Sequence, residues 1–313
     1  MRALPRIICV VGPTSSGKTD LGIHLARLFR GEVINADARQ IYQGTDIGTG
    51  KPSQGVQGMY RRRKVFMVDG IPHHLMDCLS PDQSCTVAEW RCQALELIGT
   101  VCRRGHMPIV VGGTGLYIQS LVDNYVIPEV PPQPSFRSAM AHKSPQELVE
   151  LLHRTDPKAA FVVDLHNPRR VLRALEVMTF TGRSFVTQRA MGEPLVEALM
   201  LAPFLEKAVL HARISLAIEG MIERGWIDEI KRLHEQGVSW DAPAFTAIGY
   251  REFVRYVRGE LSQAEAIELV KRATRQYAKR QMTWFKRDKR IHWTRSLQEA
   301  ETLVQTWKDS ENR

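Results

Sequence analysis

The sequence predicts an α/β protein whose core is a parallel sheet with helices on both faces, and which carries a small inserted helical domain. Three observations predict this fold class. Short apolar runs of strand type alternate with stretches of helical spacing, as in a doubly wound parallel sheet. A glycine-rich loop joins the first strand to the first helix. A proline-rich stretch later interrupts this pattern, before another strand-like run resumes it.

The alternation is clearest in the first third of the chain. Residues 7–11 form an apolar run that predicts a strand, and residues 20–29 carry leucines at helical spacing. A second strand is expected at residues 33–34, a helix at 87–102 and a third strand at 107–111. In a parallel sheet the carboxyl ends of such strands meet at one edge, where ligands bind.

The domain boundaries follow from a change in composition. Residues 127–134 are rich in proline and cannot continue a helix or a central strand, whereas residues 198–202 again have the character of a strand. We therefore expect a core domain of residues 1–123 and 196–313, with a helical C-terminal part. The inserted helical domain is expected at residues 124–195.

The C-terminal third contains the longest predicted helix and the strongest charge bias. That helix spans residues 262–286, with Ser262 as N-cap and Glu265 closing a capping box. Between residues 271 and 295 there are ten Lys or Arg and one acid, Asp288. The chain as a whole carries a net charge of +9. This balance favours a polyanionic partner, with a solvated basic surface as the alternative.

The cysteines and the apolar segments bear on the compartment. The five cysteines form no pair or Cys/His cluster at zinc spacing, and we expect free thiols in a reducing compartment. No signal-peptide pattern precedes the first strand, and no apolar run has the length of a membrane span. A soluble cytoplasmic protein without a membrane partner is therefore expected.

The loop after the first strand has the G-x-x-x-x-G-K-[ST] phosphate-binding motif. Its glycines let successive backbone N–H groups point inward, while Lys18 can reach phosphate oxygens and Thr19 can ligate Mg²⁺. The fold prediction thus sharpens to a P-loop NTPase-like core. A diphosphate presents the same oxygens as a nucleotide, so the motif alone does not predict hydrolysis. The predicted phosphate-binding residues are Gly12, Pro13, Thr14, Ser15, Ser16, Gly17, Lys18 and Thr19.

The acidic residue that a hydrolytic NTPase places after a core strand is missing here. The strand at residues 107–111 runs into Gly-Gly-Thr-Gly, where a Walker B Asp would often stand. Asp69 is a rival candidate, but it follows a run of four basic residues and we assign it to a strand near the surface. Asp37 leaves the second strand on the side of the ligand crevice, and we interpret it as functional. An Asx-turn or a helix N-cap is the alternative for Asp37.

Together these motifs resemble the tRNA dimethylallyltransferases, which carry an isopentenyl group to the adenosine next to the anticodon. The resemblance extends over most of the chain. The matching blocks are residues 12–19, 37–42, 46–52, 72–77, 112–117, 167–170, 173–176, 247–251 and 278–285. Two positions depart from the family pattern: Ala38 stands in place of a Ser, and Ala217 in place of an Arg.

The resemblance implies both substrates and the roles of individual residues. Dimethylallyl pyrophosphate and the flipped adenine of a tRNA anticodon stem-loop would enter a channel from opposite sides, and the inserted domain would swing over the RNA. Asp37 would be the general base at adenine N6, Thr114 would contact the same amine, and Mg²⁺ would assist the phosphate loop. Arg213 is expected to hold the pyrophosphate in place of the missing Arg. A monomer is expected. The positions that match tRNA contacts are Asp37, Ala38, Arg39, Gln40, Arg137, Arg169, Arg170, Thr246, Gly249, Tyr250, Arg251, Lys279 and Arg280.

The chemistry of this reaction agrees with the residues read independently. An exocyclic adenine amine is a poor nucleophile, so its reaction needs a carboxylate to accept the proton and cations to stabilise the leaving group. Three alternatives remain open at the level of sequence. They are a small-molecule kinase or NTPase, an enzyme that prenylates free adenine nucleotides, and an RNA-binding module without catalysis.

Overall fold

A computed structural model describes residues 4–125, 130–131, 133–187 and 191–310. Contacts between Cα atoms divide the chain into two units. The core unit is Met1–Leu121 with Leu195–Arg313, and the second unit is Val122–Pro194. The proline-rich connector predicted at residues 127–134 lies in part outside the described residues.

The core unit contains a mixed sheet, which has eight strands within the described residues. The strands are β1 (Arg6–Val11), β2 (Gly31–Asn35), β3 (Val56–Tyr60), β4 (Arg63–Val68), β5 (Ile71–His74), β6 (Met107–Gly112), β7 (Glu197–Pro203) and β8 (Ile291–Thr294). Their order across the sheet is β3-β4-β5-β2-β6-β1-β7-β8. Six neighbouring strands of this order pair in parallel, namely β5, β2, β6, β1, β7 and β8. This pairing confirms the predicted parallel core.

One edge of the sheet differs from the prediction. Strands β3 and β4 pair antiparallel with each other, and β4 pairs antiparallel with β5. Only Arg61 and Arg62 separate β3 from β4, and both have positive φ angles, 47° and 67°. A two-residue turn of this kind allows antiparallel pairing but not a parallel crossover. The sequence patterns had indicated a strand near the surface here, but not a hairpin. His73 and His74 lie on β5 next to this edge.

Helices cover the sheet and build the remainder of the molecule. In chain order they are α1 (Lys18–Leu28), α2 (Val87–Arg103), α3 (Gly115–Val122), α4 (Pro134–Met140), α5 (Pro145–Thr155), α6 (Pro157–Ala160), α7 (Pro168–Thr181), α8 (Lys207–Glu223), α9 (Trp226–Glu235), α10 (Tyr250–Val257), α11 (Gln263–Phe285) and α12 (Leu297–Asp309), with a 3₁₀ helix at Pro243–Thr246. The predicted capping box is confirmed, since Ser262 Oγ accepts from Glu265 N at 3.3 Å and Glu265 Oε2 accepts from Ser262 N at 2.8 Å. Among the described residues, no helix is long and apolar enough to cross a membrane.

Apolar cores lie within the sheet and among the helices. Strands β1, β2 and β6 are buried along nearly their whole length, as parallel strands covered on both faces must be. A second apolar cluster joins α8, α9, α10 and α11 around Trp226, Tyr250 and Phe253. In the second unit, α5, α6 and α7 pack around Leu152, Val171 and other apolar side chains. The carboxyl ends of β1, β2 and β6 thus project from a packed sheet into the loops that carry the predicted catalytic residues.

A buried carboxylate ties together the elements around β2. Glu32 accepts hydrogen bonds from Tyr60 Oη at 2.9 Å and from Arg104 Nη1 at 2.9 Å. It also lies 2.6 Å from His74 Nε2 and 2.9 Å from His106 Nδ1. Burial raises the pKa of this carboxyl, but the four partners outweigh that effect and hold its pKa at about 2. The ionised form of Glu32 is therefore the stable one in the folded state.

We expect the free energy of unfolding to decrease as the pH falls below neutrality. Burial lowers the pKa of His73 from 6.5 to about 4. The contribution of a neutral His73 to the free energy of unfolding is therefore fully present above pH 6.5 and is lost as the pH falls towards 4. The pKa of Glu32 falls from 4.5 to about 2, so its contribution is lost over that lower range. Urea unfolding at a series of pH values measures the slope. A stability that is independent of pH between 7 and 4 would contradict this expectation.

Candidate active site at the carboxyl edge of the sheet

The loop between β1 and α1 has the backbone of an anion-binding nest. Gly12, Ser15 and Gly17 have positive φ angles of 143°, 60° and 88°. Gly17 is the N-cap of α1, and no side-chain cap bonds to the first turn of that helix within the described residues. The N–H groups of the first turn are therefore left for a ligand, and the helix dipole favours an anion there.

Two side chains of this loop could donate hydrogen bonds to an anion. The Ser16 hydroxyl is buried and has no hydrogen-bond partner within the described part of the chain. Lys18 Nζ donates a long bond, 3.3 Å, to the Pro13 carbonyl. Burial lowers the pKa of Lys18, and the Asp37 carboxylate acts in the opposite direction. A phosphate group would supply acceptors to both side chains.

Arg213, predicted to hold the pyrophosphate, lies beside the loop. Its Nη1 is 3.7 Å from the position that a Cβ atom on Gly17 would occupy. The guanidinium makes no hydrogen bond or ion pair with any other described residue, and it is exposed on α8. Ala217 lies one turn further along the same helix. The geometry therefore allows Arg213 to act where the resemblance leaves a cation missing.

Asp37 lies two residues after the end of β2, and hydrogen bonds to Asn35 and Arg39 hold its backbone and its side chain. Asn35 Oδ1 accepts from the backbone N–H of Asp37 at 3.1 Å, and Asp37 Oδ1 accepts from Arg39 N at 2.9 Å. The alternative interpretation, an Asx-turn, thus holds for one carboxylate oxygen. The other oxygen, Oδ2, accepts no hydrogen bond from the described residues, so it is available to a substrate.

Thr114 is brought next to Asp37 by the ends of β2 and β6. Thr114 Oγ1 accepts from Ala38 N at 3.0 Å, and Thr114 N donates to Ala36 O at 3.2 Å. A Cβ atom on Gly112 would lie 2.1 Å from Ala36 O, so this close approach requires a glycine. Because the hydroxyl bonds to the backbone of Ala38, this contact does not need the Ser that the resemblance would place there.

The Asp37 carboxylate interacts electrostatically with the phosphate loop and with two buried phenol groups. Asp37 counteracts the lowering of the Lys18 pKa. Burial raises the pKa of Tyr277 and of Tyr117, and Asp37 adds to both increases. The phenol groups therefore stay protonated near Asp37. A cationic nest and a free carboxylate oxygen thus share the carboxyl edge of the sheet.

The protein oxygens at this edge could supply only part of the ligand shell of a Mg²⁺ ion. Thr19 lines a small cavity with Asn35 and Gln40, and its hydroxyl has no hydrogen bond within the described residues. No group of three or more His, Cys, Asp or Glu that could hold a metal occurs in the described part. Mg²⁺ is often held by one or two protein oxygens together with substrate phosphates and water. Thr19 therefore fits a Mg²⁺ that arrives with a diphosphate.

Several predicted RNA-binding residues in the core unit are exposed near the site. Arg39 Nη1 donates to Thr246 Oγ1 at 3.0 Å, so the structure brings these two residues together. Gln40 Nε2 donates to the carbonyls of Thr49 and Gly50, both at 3.1 Å. The Gln40 amide is therefore engaged with the protein backbone, while the Arg39 guanidinium remains exposed to solvent.

Tyr250, one of the predicted RNA-binding residues, has a buried side chain. It is 0% exposed, and its hydroxyl bonds to Glu229 Oε1 at 2.5 Å. Glu229 also accepts the backbone N–H groups of residues 46–48. The Tyr250 side chain is thus a core group that anchors this loop, and its contribution to RNA binding stays a prediction. Gly249 has a φ of 92°, and a Cβ atom on it would lie 2.0 Å from Trp226. A glycine is therefore required at position 249 because the Trp226 ring packs against its backbone.

The basic residues of α10 and α11 remain accessible. Lys279 and Arg280 are exposed, and Arg280 lies 5.7 Å from the centroid of the Tyr277 ring. Arg251 is also exposed, and it donates to the buried carboxylate of Glu252 at 2.6 Å. These three cations can meet a phosphodiester backbone without any rearrangement of the core.

The predicted RNA contacts of the second unit are basic groups on α4 and α7. Arg137 donates two hydrogen bonds to Glu176, at 2.9 and 3.0 Å. Glu176 is buried, which raises its pKa, but Arg137 and its other partners lower the pKa to about 2. The guanidinium of Arg137 is therefore fixed and still 44% exposed. Arg169 and Arg170 are exposed, and Arg170 lies 3.5 Å from Asp164.

Sequence reasoning missed Gln281, a buried side chain on α11. Its Oε1 accepts from Thr14 N at 2.9 Å, and its Nε2 donates to Gly113 O at 2.8 Å. A signal was present, since Gln281 lies four residues after Tyr277 and three before Trp284 on the apolar stripe of its helix. A polar residue in such a stripe indicates a specific partner in the core.

Two family models match the sequence. The model described as IPP transferase matches residues 40–288, and the model described as Isopentenyl transferase matches residues 5–73. The tRNA dimethylallyltransferase of Anoxybacillus flavithermus is 40% identical over 290 residues, which are 92% of this chain and 89% of that protein. The tRNA dimethylallyltransferase of a Roseiflexus species is 36% identical over 313 residues, with 97% and 99% covered.

Solved structures show the same similarity. The full-length tRNA isopentenylpyrophosphate transferase of Bacillus halodurans superposes with a TM-score of 0.69 at 32% identity, covering 98% of this chain and 96% of that one. A eukaryotic dimethylallyltransferase acting on tRNA superposes with a TM-score of 0.72 at 29% identity, covering 89% of this chain and 69% of that one. The fold thus has counterparts in solved proteins.

Proposed function

The chain belongs to the IPP transferase family, and from this membership we propose that it transfers a dimethylallyl group from dimethylallyl pyrophosphate to N6 of the adenosine next to the anticodon of tRNA. It is accordingly an enzyme of the prenyl transferase type. The observation that carries the proposal is the free Oδ2 of Asp37 beside an anion-binding nest, with Thr114 where an NTPase would often have an acid.

The nest would bind the diphosphate of the donor. Backbone N–H groups at the start of α1, the Ser16 hydroxyl, Lys18 and Arg213 surround the place where phosphate oxygens would lie. As the bond between the allylic carbon and oxygen breaks, negative charge grows on the departing diphosphate, and these groups stabilise it. Mg²⁺ bound to Thr19 and the diphosphate would supply further positive charge.

The acceptor half of the site would hold the adenine. Its N6 attacks the allylic carbon, a nitrogen–carbon bond forms, and one N6 proton is released. Asp37 Oδ2 is placed to take that proton, because its other oxygen is already bonded to Arg39 N. The Thr114 hydroxyl accepts from Ala38 N and can donate its own proton towards the substrate. The flipped base would come from a single-stranded loop, where unstacking costs least.

The relatives support tRNA as the acceptor over a free nucleotide or a kinase substrate. The exposed cations of α10 and α11 agree with this choice, since a free nucleotide would need fewer of them. Arg137, Arg169 and Arg170 extend the basic character to the second unit.

The proposal is tested by incubating the protein with dimethylallyl pyrophosphate, Mg²⁺ and unmodified tRNA. We expect N6-prenylated adenosine after digestion of the tRNA, and far less product when AMP or ATP is the acceptor. Faster prenylation of a free nucleotide would favour the nucleotide enzyme. ATP turnover without RNA, in the absence of prenyl transfer, would favour a kinase or NTPase.

Lys279→Ala is expected to weaken tRNA binding and to flatten its salt dependence. Loss of one phosphate contact should reduce the slope of log K against log salt by about 0.7 to 0.9. Fluorescence anisotropy at several salt concentrations measures this slope. Lys231→Ala removes an exposed Lys of α9 and is the matched control. An unchanged slope for Lys279→Ala would show that this residue makes no phosphate contact.

A further inference from the structure

Gln281 connects two loops of the site through one side-chain amide. It is 5% exposed, and both ends of its amide are used: Oε1 accepts from Thr14 N at 2.9 Å, and Nε2 donates to Gly113 O at 2.8 Å. A Cβ atom on Gly113 would lie 2.4 Å from Gln281 Nε2, so the amide fills the space beside this loop. A buried amide with both ends bonded cannot rotate without losing a hydrogen bond in the core.

The first of these bonds orients the phosphate-binding half of the site. Thr14 N and Pro13 O belong to the same planar peptide unit, so a partner on the N–H also sets the direction of the carbonyl. Pro13 O accepts from Lys18 Nζ at 3.3 Å and from Ser16 N at 3.3 Å. Gln281 therefore influences where the Lys18 ammonium rests, although the two side chains are not bonded to each other.

The second bond orients the acceptor half. Gly113 O and Thr114 N share the next planar peptide unit, and Thr114 N donates to Ala36 O at 3.2 Å. The Thr114 hydroxyl accepts from Ala38 N at 3.0 Å. Ala36 and Ala38 are the two neighbours of Asp37 in the chain. Thr114, whose peptide Gln281 holds, is thus bonded through its N–H and its hydroxyl to both neighbours of the residue that we assign as the base.

We propose that Gln281 is a positioning residue that keeps the diphosphate-binding loop in register with the segment of Asp37 and Thr114. The reacting carbon is held by the first half and the attacking nitrogen by the second, so the distance between them depends on how the two halves are joined. This inference rests on the proposed prenyl transfer. A displacement of about 1 Å between reacting groups lowers a rate by on the order of 10²-fold.

Gln281→Met is the main test, because Met keeps the length of the side chain and cannot make either hydrogen bond. We expect kcat to fall by on the order of 10²-fold, while the Kd values for Mg²⁺-pyrophosphate and for tRNA stay within a few fold. Gln263→Met places the same substitution on the exposed first turn of α11 and should leave kcat unchanged. Circular dichroism and thermal melting establish that both variants are folded.

Gln281→Glu tests whether residue 281 acts through its two hydrogen bonds or only by filling space in the core. An ionised Glu can accept from Thr14 N but cannot donate to Gly113 O, whereas a protonated Glu can do both. Burial next to a bound diphosphate favours the protonated form, and the Asp37 carboxylate acts in that direction, while the neutral Tyr277 hydroxyl and the cations of Lys18, Arg39 and Arg280 act against it. The ratio of the variant's kcat to that of the wild type should therefore rise as the pH is lowered from about 8.5 to about 6. The same ratio for Gln281→Met should stay flat.

Three outcomes would overturn the role of Gln281. One is a kcat for Gln281→Met within about twofold of the wild type, since a lost register should cost far more. Another is a higher KM for dimethylallyl pyrophosphate with unchanged kcat, which would mean that Gln281 only shapes the nest. The third is a pH-independent ratio for Gln281→Glu. Failure of the wild-type chain to prenylate tRNA would instead overturn the proposed function itself.

Discussion

Asp37→Asn is expected to reduce prenyl transfer by about 10³-fold while leaving tRNA affinity within a few fold. A positioned general base contributes about 10²- to 10⁴-fold to a rate, and the amide of Asn cannot accept the N6 proton. Asn keeps an oxygen that can accept from Arg39 N, so the local turn should survive. Single-turnover kinetics with bound tRNA and saturating dimethylallyl pyrophosphate isolates the chemical step.

The matched control is Asp69→Asn, which removes an exposed carboxylate that pairs with Arg27. It should leave the rate unchanged, because Asp69 follows β4 at a distant edge of the sheet. Substantial turnover by Asp37→Asn would remove Asp37 from the proposed mechanism. A parallel loss of tRNA affinity would indicate that Asp37 binds RNA rather than abstracts a proton.

Asp37 stands out among the acids near the site because, within the described residues, no Lys, Arg or His pairs with its carboxylate. Asp46 and Asp77 also follow the sheet edge, but both pair with the buried ammonium of Lys51, at 2.8 and 2.5 Å. Glu229 is saturated by the backbone N–H groups of residues 46–48 and by Tyr250. These acids build the loop walls, and each of their carboxylates is already paired with a cation or with backbone N–H groups.

The parts of the site that the sequence predicted are those that local chain geometry determines. The nest needs glycines and a following helix, and both are contiguous in residues 12–19. Asp37 could be placed beside the nest because the ends of parallel strands meet at one edge, whereas Thr114 was placed there by the family resemblance. β2 and β6 are indeed neighbours, with Asn35 paired to Val111. Short-range motifs and one topological rule therefore account for the centre of the site.

The parts that the sequence did not predict depend on contacts between distant segments. Tyr250 stands in a motif that matches RNA contacts, yet Glu229 draws its hydroxyl into the core. Gln281 meets Thr14 across 267 positions of the chain, a pairing that no local pattern encodes. The β3–β4 hairpin was missed because its turn contains Arg61 and Arg62, where such turns usually contain Gly, Asn or Asp.

Lys18→Met is expected to lower kcat/KM for dimethylallyl pyrophosphate by about 10²- to 10³-fold, with tRNA affinity unchanged. Lys18 is half-buried at the base of the nest, and burial already lowers its pKa. In such surroundings a single cation interacts strongly with a developing charge, because little water screens it. Steady-state kinetics with varied dimethylallyl pyrophosphate, and calorimetry with pyrophosphate and Mg²⁺, measure the two effects.

The comparison with Arg213→Met shows whether burial decides the size of the effect. Arg213 faces the same nest from α8, but it is exposed, so solvent should screen its interaction with the diphosphate. We therefore expect Arg213→Met to cost less than Lys18→Met, and the exposed control Lys207→Met on α8 to cost nothing. If Arg213→Met were the more damaging, the diphosphate would have to lie nearer to α8 than to the base of the nest. The charge of the leaving group would then be stabilised mainly by the residue that stands in for the missing Arg at Ala217.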